Sequence, residues 1–378
     1  MSAPAEMSPV AVYVHTPFCP TKCGYCDFNS YAMSGPIVER TVYAIEREIR
    51  SSPVAGRPAK TVFFGGGTPT LLEANDLARL LRAVFDTHPP LPDAEVTSEA
   101  NPGAVDAAKF VAMREAGFNR VSIGAQSFRS DDLVRLGRVH AVDDVGRAVA
   151  AARAAGFDNL NLDLMFALPG QSVPAWRRNL DRALALEPEH LSLYCLTLEP
   201  NTPFYKEWLR GTLVQPDEEA QIEMYDVAVE ATAAAGFALY EISNFARPGR
   251  ECLHNLCYWR GEDYAGYGPG AVGCLTTGAG RVRTTNVKHP LRYCEAVEAD
   301  TPLACETDPL SPEDEALERV MLGLRLAEGI AANDPALTDY GMNRAVDQGW
   351  AIVKDSRLRL TPTGRRLHHE VVLLVMKA

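Results

Sequence analysis

Three thiols fall close together in Cys19-Pro-Thr-Lys-Cys23-Gly-Tyr-Cys26. Thiolate is the usual protein ligand for clustered iron, and a CxxxCxxC loop holds three irons of a cubane while leaving the fourth open to something that is not protein. The same loop could give three ligands of a zinc site, with His15 as the fourth, or three unrelated buried thiols. A second stretch, Phe63-Phe64-Gly65-Gly66-Gly67-Thr68-Pro69-Thr70, places a glycine run where bare backbone can approach a small polar ligand. That pairing weighs against zinc.

Both motifs follow apolar strand-like runs, Val10 to Val14 and Thr61 to Phe64. Ile37 to Ser51 has the pattern of an amphipathic helix, Leu71 to Phe85 another with Thr70 as its N-cap, and Asp106 to Ala116 a third. Glu95 to Glu99 is a short strand. Three segments then share one plan of helix end, glycine and strand, around Gly117, Gly156 and Gly236, each glycine suited to a left-handed C-terminal cap. Leu186 to Leu196 supplies a further unit in the longer gap. Such units build an α/β fold with a parallel sheet, here a partial (β/α) barrel of about six or seven strands, similar to an eight-fold barrel. Cys19 to Cys26 would follow the first strand and the glycine run the second. Glu99 and Gln126 would close the third and fourth, with Asp163 in the fifth. All converge on the carboxyl-terminal rim, where such barrels carry chemistry.

Prolines and acids between Lys288 and Pro312 read as a connection. Beyond it, Glu313 to Leu326 is helical, and Asp334 to Tyr340 and Asn343 to Gln348 read as short helices. Trp350 to Leu360 reads as a hairpin turning at Asp355-Ser356, and Thr361 opens a last helix. This is a winged-helix-like outline. The expected division is 1–287 for the barrel, 288–312 for the connection and 313–378 for the small domain.

A chain of 378 residues can bury a large core, and 23% charged and 47% apolar residues are ordinary globular composition. The net charge of −12 argues against a general nucleic-acid binder. From Ser311 onward nine Lys and Arg face ten Asp and Glu, so the winged-helix outline reads as a packing or lid unit. Nine irregularly spaced cysteines suggest a reducing compartment rather than a disulfide framework. The residues before the first strand lack the features of a secretory signal, and no apolar run approaches membrane-spanning length. The expectation is a soluble, cytoplasmic protein.

HTPFCPTKCGYCDF followed by FFGGGTPT resembles the radical S-adenosylmethionine (SAM) superfamily. More narrowly, it resembles the branch holding oxygen-independent coproporphyrinogen oxidase and the HemW-type haem chaperones. The likeness continues through Ser98 to Pro102, Ser122 to Phe128, Asn161 to Gly170 and His254 to Trp259. It implies a 4Fe-4S cluster on Cys19, Cys23 and Cys26, with SAM chelating the open iron. One electron into its C–S bond then gives methionine and a 5′-deoxyadenosyl radical, chemistry that the cofactor supplies. Gly65, Gly66, Gly67 and Thr68 would lie along the methionine part. Glu99 and Asp163 would accept from ribose hydroxyls or the ammonium, Gln126 could donate and accept at the same rim, Arg138 would meet the carboxylate, and Tyr13 would stand beside the cluster. Tyr25 and Phe28 either shield the cluster or pack ordinarily. His254, in Cys252-Leu-His254-Asn-Leu-Cys-Tyr258-Trp259, is either an axial ligand to haem or a structural histidine with both ring nitrogens engaged.

Two departures separate the branches. Oxidases of this type carry a further cysteine in a CxxxCxxCxC pattern, whereas here Cys26 is followed by Asp27 and Phe28. They also carry a long segment ahead of the first strand, where this sequence has 18 residues before Cys19. Both match the chaperones. The expected partners are therefore haem and recipient apo-proteins, with no nucleic acid and no integral membrane segment, and a homodimer is left open.

Overall fold

The computed structural model describes residues 8–376. Strand and helix alternate as β1 (Val10–Thr16), α1 (Pro36–Arg50), β2 (Ala59–Gly66), α2 (Ala74–Thr87), β3 (Pro90–Ala100), α3 (Ala107–Ala116) and β4 (Arg120–Gln126). They continue as α4 (Ser130–Leu136), α5 (Val142–Ala154), β5 (Leu160–Phe166), α6 (Val173–Leu184) and β6 (His190–Cys195). The six strands lie side by side in sequence order, all parallel. Period 2 splits each strand. Val12, Val14, Val62, Phe64, Val121 and Ile123 point outward and are buried with Ile45, Leu80, Leu81 and Phe110 of the helices in one core. The opposite faces, with Tyr13, Phe63, Ser122 and Asp163, line a lumen.

After β6 come α7 (Pro203–Leu209) and α8 (Glu218–Ala234), then the short antiparallel strands β7 (Ala238–Leu239) and β8 (Asn244–Ala246) on that edge. α9 (Leu253–Trp259) carries the chain across to the opposite edge, where β9 (Tyr264–Tyr267) pairs parallel with β1. β9 is thus the seventh parallel strand, within the six or seven expected. β10 (Val272–Thr277), β11 (Gly280–Asn286) and β12 (Ala304–Pro309) extend that edge antiparallel.

Gly117, Gly156 and Gly236 take positive φ after their helices, as the repeat requires. In the fourth unit, Glu187 at φ 51 does the work of a glycine. Three local expectations differ. Thr70 does not cap α2, whose N-cap is Glu73. It sits in a 3-10 turn, and its hydroxyl accepts from Asn101 N at 3.3 Å. Residues 288–312 are more than a connection. α10 (Pro290–Glu298) buries Tyr293 and Cys294 in the main core, with Tyr293 OH donating to Glu48 at 2.5 Å, and β12 joins the sheet.

In the last unit, α11 (Pro312–Arg325) and β13 (Ile330–Ala331) precede one helix, α12 (Asp339–Asp347), in place of the two expected. Thr338 accepts from Gly341 N and starts that helix only there, leaving the residues before it as turns. β14 (Ala351–Lys354) and β15 (Arg357–Leu360) form the expected hairpin. Asp355 and Ser356 are both at positive φ, as a two-residue primed turn demands. α13 (Pro362–Arg366) and α14 (His368–Val375) complete a winged-helix order around its own apolar core of Val320, Leu324, Leu358 and Val371. Among the described residues no helix is long and apolar enough to cross a membrane.

Candidate functional site

The loop after β1 is pinned at both ends. Cys19 N donates to Tyr31 O at 3.0 Å, Gly24 N to Leu136 O at 3.2 Å, and Phe204 N to Gly24 O at 3.0 Å. A Cβ on Gly24 would stand 2.6 Å from the Phe204 ring, so any larger residue there would displace that ring. The turn after β2 lies against this loop. Gly67 N donates to Thr16 O at 2.8 Å and Thr68 N to Phe18 O at 2.7 Å. A Cβ on Gly67 would meet Phe18 O at 2.5 Å. The glycine run is therefore first a device for close backbone approach.

One pocket at the carboxyl-terminal rim brings together Cys19, Cys23 and Cys26 with Gly66, Gly67 and Thr68. Glu99, Gln126, Arg138 and Asp163 line it too. It holds a cavity of about 130 Å³. Cys19 Sγ is 3.6 Å from Thr68 Oγ1, and Arg138 reaches Cys23 Sγ at 3.8 Å while donating to Gly124 O at 2.8 Å. Burial pushes the Cys19 and Cys26 thiols up. Glu99 accepts from Gly66 N at 3.2 Å. Burial, and then the charge of Asp163, pushes its carboxyl up to about 8. Asp163 is raised by burial against hydrogen bonds that favour its charge, among them Asn161 at 2.7 Å and Ser122 at 3.2 Å. Gln126 ends β4 at φ 62, a backbone state uncommon outside glycine.

The donor set fits a cubane better than a single ion. Among the described residues, no three metal-ligating side chains converge on a point that one ion could fill. A cubane gives each thiolate its own iron. His15, the fourth ligand a zinc site would need, has Nδ1 on Tyr13 OH and Nε2 on Asn29 O, both at 2.9 Å.

Tyr13, Tyr25 and Phe28 stand around the pocket, and His254 lies beneath it. As a mid-strand residue of β1, Tyr13 faces the lumen with Glu99 and also lines a cavity with Phe28 and Gly66. Phe28 lines the thiol pocket while 63% exposed, and Tyr25, on the same pocket, packs on Phe204 with ring centroids 6.4 Å apart. His254 does not offer an open nitrogen to haem iron. It is 1% exposed, with Nδ1 at 2.8 Å from Thr61 Oγ1 and Nε2 at 2.9 Å from Tyr258 OH, and it stacks on Phe63 at 5.1 Å. Glu95 fixes the start of its helix by accepting from Leu253 N and His254 N, each at 3.1 Å. α9 thereby closes the amino-terminal end of the lumen, and burial pushes the His254 imidazole down to about 3.

Ser122 and Asn161, which hold Asp163, were given no role from sequence. Their signal was available: they alternate with apolar residues on the same faces as Gln126 and Asp163, so period 2 puts them at the site.

The family described as the radical SAM superfamily matches residues 13–183, and the HemN C-terminal domain matches 310–367. Over 374 residues the chain is 37% identical to heme chaperone HemW of Bacillus subtilis, covering 96% of this chain and 97% of that one. It is 43% identical over 296 residues to the Escherichia coli HemW, covering 77% of each. The chain belongs to the HemW family of radical SAM proteins. Among solved structures, Escherichia coli coproporphyrinogen III oxidase (HemN) superposes with a TM-score of 0.82 at 22% identity, covering 98% of this chain and 90% of that one. At that identity the likeness concerns the fold. Membership of the HemW family brings a 4Fe-4S cluster and SAM as cofactors, and the thiols and polar rim just described are the residues available to them.

Proposed function

We propose that this chain is a haem chaperone, binding haem and passing it to recipient apo-proteins, and that it lacks coproporphyrinogen oxidase activity. The observation that carries this reading is the likeness to heme chaperones named HemW along nearly the whole chain. The Asp27-Phe28 that replaces the oxidase's further cysteine supports it.

Cys19, Cys23 and Cys26 would hold three irons of the cluster. Gly66, Gly67 and Thr68 keep backbone close to the methionine end of SAM, with Glu99, Gln126, Arg138 and Asp163 around its polar groups. When bound, these cofactors supply one-electron chemistry at the sulfonium. Arg138 offsets thiolate charge at Cys23, Tyr25 lines the pocket with the thiols and Tyr13 shares the lumen with Glu99. His254 is a pillar of the lumen floor. The barrel with its β12 edge forms one unit and residues from Pro312 a second. All nine cysteines are free, which suits the cytoplasm, and the acidic chain suits partners other than nucleic acid.

The test is a haem titration of anaerobically reconstituted protein, followed by transfer to an apo-haem protein, with coproporphyrinogen III conversion assayed in parallel. Haem binding and transfer without conversion is expected. Conversion at a useful rate would overturn the reading in favour of an oxidase.

A further inference from the structure

Arg120 opens β4 near the floor of the lumen and is 2% exposed. A guanidinium has five N–H donors, yet among the described residues this one makes no hydrogen bond. Its Nε has no partner, and the nearest carboxylate oxygen, on Glu95, is 3.9 Å away and already serves the amides that open α9. Buried charges are ordinarily paired and hydrogen-bonded, because desolvation otherwise costs several kcal/mol. Arg120 has only that long ion pair and no hydrogen bond, and it faces a cavity of about 170 Å³ beneath the thiol pocket. At 10–15 Å³ for each water, that is room for roughly ten or more non-hydrogen atoms.

The walls narrow the chemistry. Phe63 and Tyr194 are flat and aromatic, and Tyr194 leaves 40% of its surface open although it points inward. Glu99 and Asp163 form the ceiling shared with the pocket above. The Asp163 carboxylate there disfavours a doubly charged phosphate more than a single carboxylate, and Asp163 is already held by Ser122 and Asn161. A single carboxylate on a small apolar body meets both the free fork of donors and the aromatic walls.

We propose that this lumen is a binding site for a small monocarboxylate, gripped by Arg120 directly beneath the pocket for SAM. The site does not depend on haem delivery being the function.

The probe is radiolabelled 3-phenylpropionate, measured by equilibrium dialysis against anaerobically reconstituted full-length protein. One-to-one saturable binding is expected, with no competition from inorganic phosphate. Arg120→Met should weaken it about tenfold or more, and Arg120→Lys, which keeps charge but loses the fork, by less. Tyr194→Trp, which fills the lumen from another wall, should abolish it while cluster iron and SAM retention stay at parental levels. A parent that does not saturate, or an Arg120→Met protein that binds as tightly as the parent, overturns the proposal. Should Arg120→Met lose its cluster, Tyr194→Trp decides: binding retained there overturns the proposal, and binding lost with cluster and SAM intact supports it.

Discussion

Replacing Arg325 by methionine tests how the terminal unit is held to the barrel. Arg325 ends α11. Its Nε donates to Glu241 Oε2 at 2.5 Å, its NH2 to Ser243 Oγ at 3.2 Å, and its guanidinium covers the Trp259 ring at 4.5 Å. Glu241 is fully buried between β7 and β8, where Ser243 N also donates to it at 2.9 Å. Removing the guanidinium leaves a buried carboxylate with hydrogen bonds from Ser243 N and Asn244 but no counter-charge, a loss of up to about 3–5 kcal/mol, against about 0–1 kcal/mol for an exposed pair. Because the Arg325 side chain is 26% exposed and water can reach its place, about 3 kcal/mol is expected. The assay is hydrogen exchange across α11 and α9 together with denaturant unfolding, on the parent, Arg325→Met, Glu241→Gln and the double variant. Since Glu241→Gln removes the stranded charge, the double variant should be more stable than Arg325→Met alone. If Arg325→Met lies within about 1 kcal/mol of the parent, or the double variant is the less stable of the two, the pair is not what docks the unit.

Three further outcomes follow from the site. Glu99, with a carboxyl near 8, is mostly protonated at neutral pH. If SAM needs it ionised, retention should rise about twenty-fold from pH 6 to 7.5, since the ionised fraction of such a group grows by that factor. Equilibrium dialysis checks this, and a Glu99→Gln protein with the same slope would exclude Glu99 as the cause. Gly67→Ala places a methyl group against Phe18 O, so the turn must move at about 1–3 kcal/mol. Weakened SAM retention with unchanged cluster iron is the expected readout, and parental retention would contradict it. His254→Ala should lower stability by about 2–4 kcal/mol through loss of a packed ring with two hydrogen bonds. It should leave haem affinity within twofold of the parent, and a large loss of affinity at unchanged stability would make His254 a haem ligand after all.

Much of this was legible in the chain. Apolar runs before Cys19 and Gly65 announce β1 and β2, because a parallel strand buried on both faces reads as nearly continuous hydrophobicity. Gly117, Gly156 and Gly236 announce helix ends, because only the left-handed cap asks for them there. Glu187 announces nothing: it takes positive φ because the turn around it requires that state, and no composition cue marks it. Thr70 misled because a threonine before an apolar run satisfies the rule for a cap, while the tertiary partner Asn101 claimed its hydroxyl instead. His254 was ambiguous because sequence gives residue type without direction, and the crossing of α9 from β8 to β9 turns the imidazole inward.

The lumen poses a different problem. Alternation of polar and apolar residues in Arg120-Val-Ser-Ile and Asn161-Leu-Asp-Leu is the usual mark of a strand with one wet face. Here the polar face is wet from within. Seven parallel strands do not close the barrel, so the inward residues are not pressed into the apolar layers that fill an eight-stranded one. The interior keeps a hydrogen-bonded chain from Ser122 and Asn161 to His190 and Tyr240, the last two joined at 2.9 Å. A chain of such bonds rigidifies a core only when each member is satisfied, and an unsatisfied member is costly at low dielectric. Among the polar groups facing this lumen, Arg120 alone carries a full charge without a hydrogen bond. A protein selected only for stability would gain by replacing it with a well-packed apolar side chain. Its presence beneath the thiol pocket is therefore more economically explained by something that enters the lumen than by the fold.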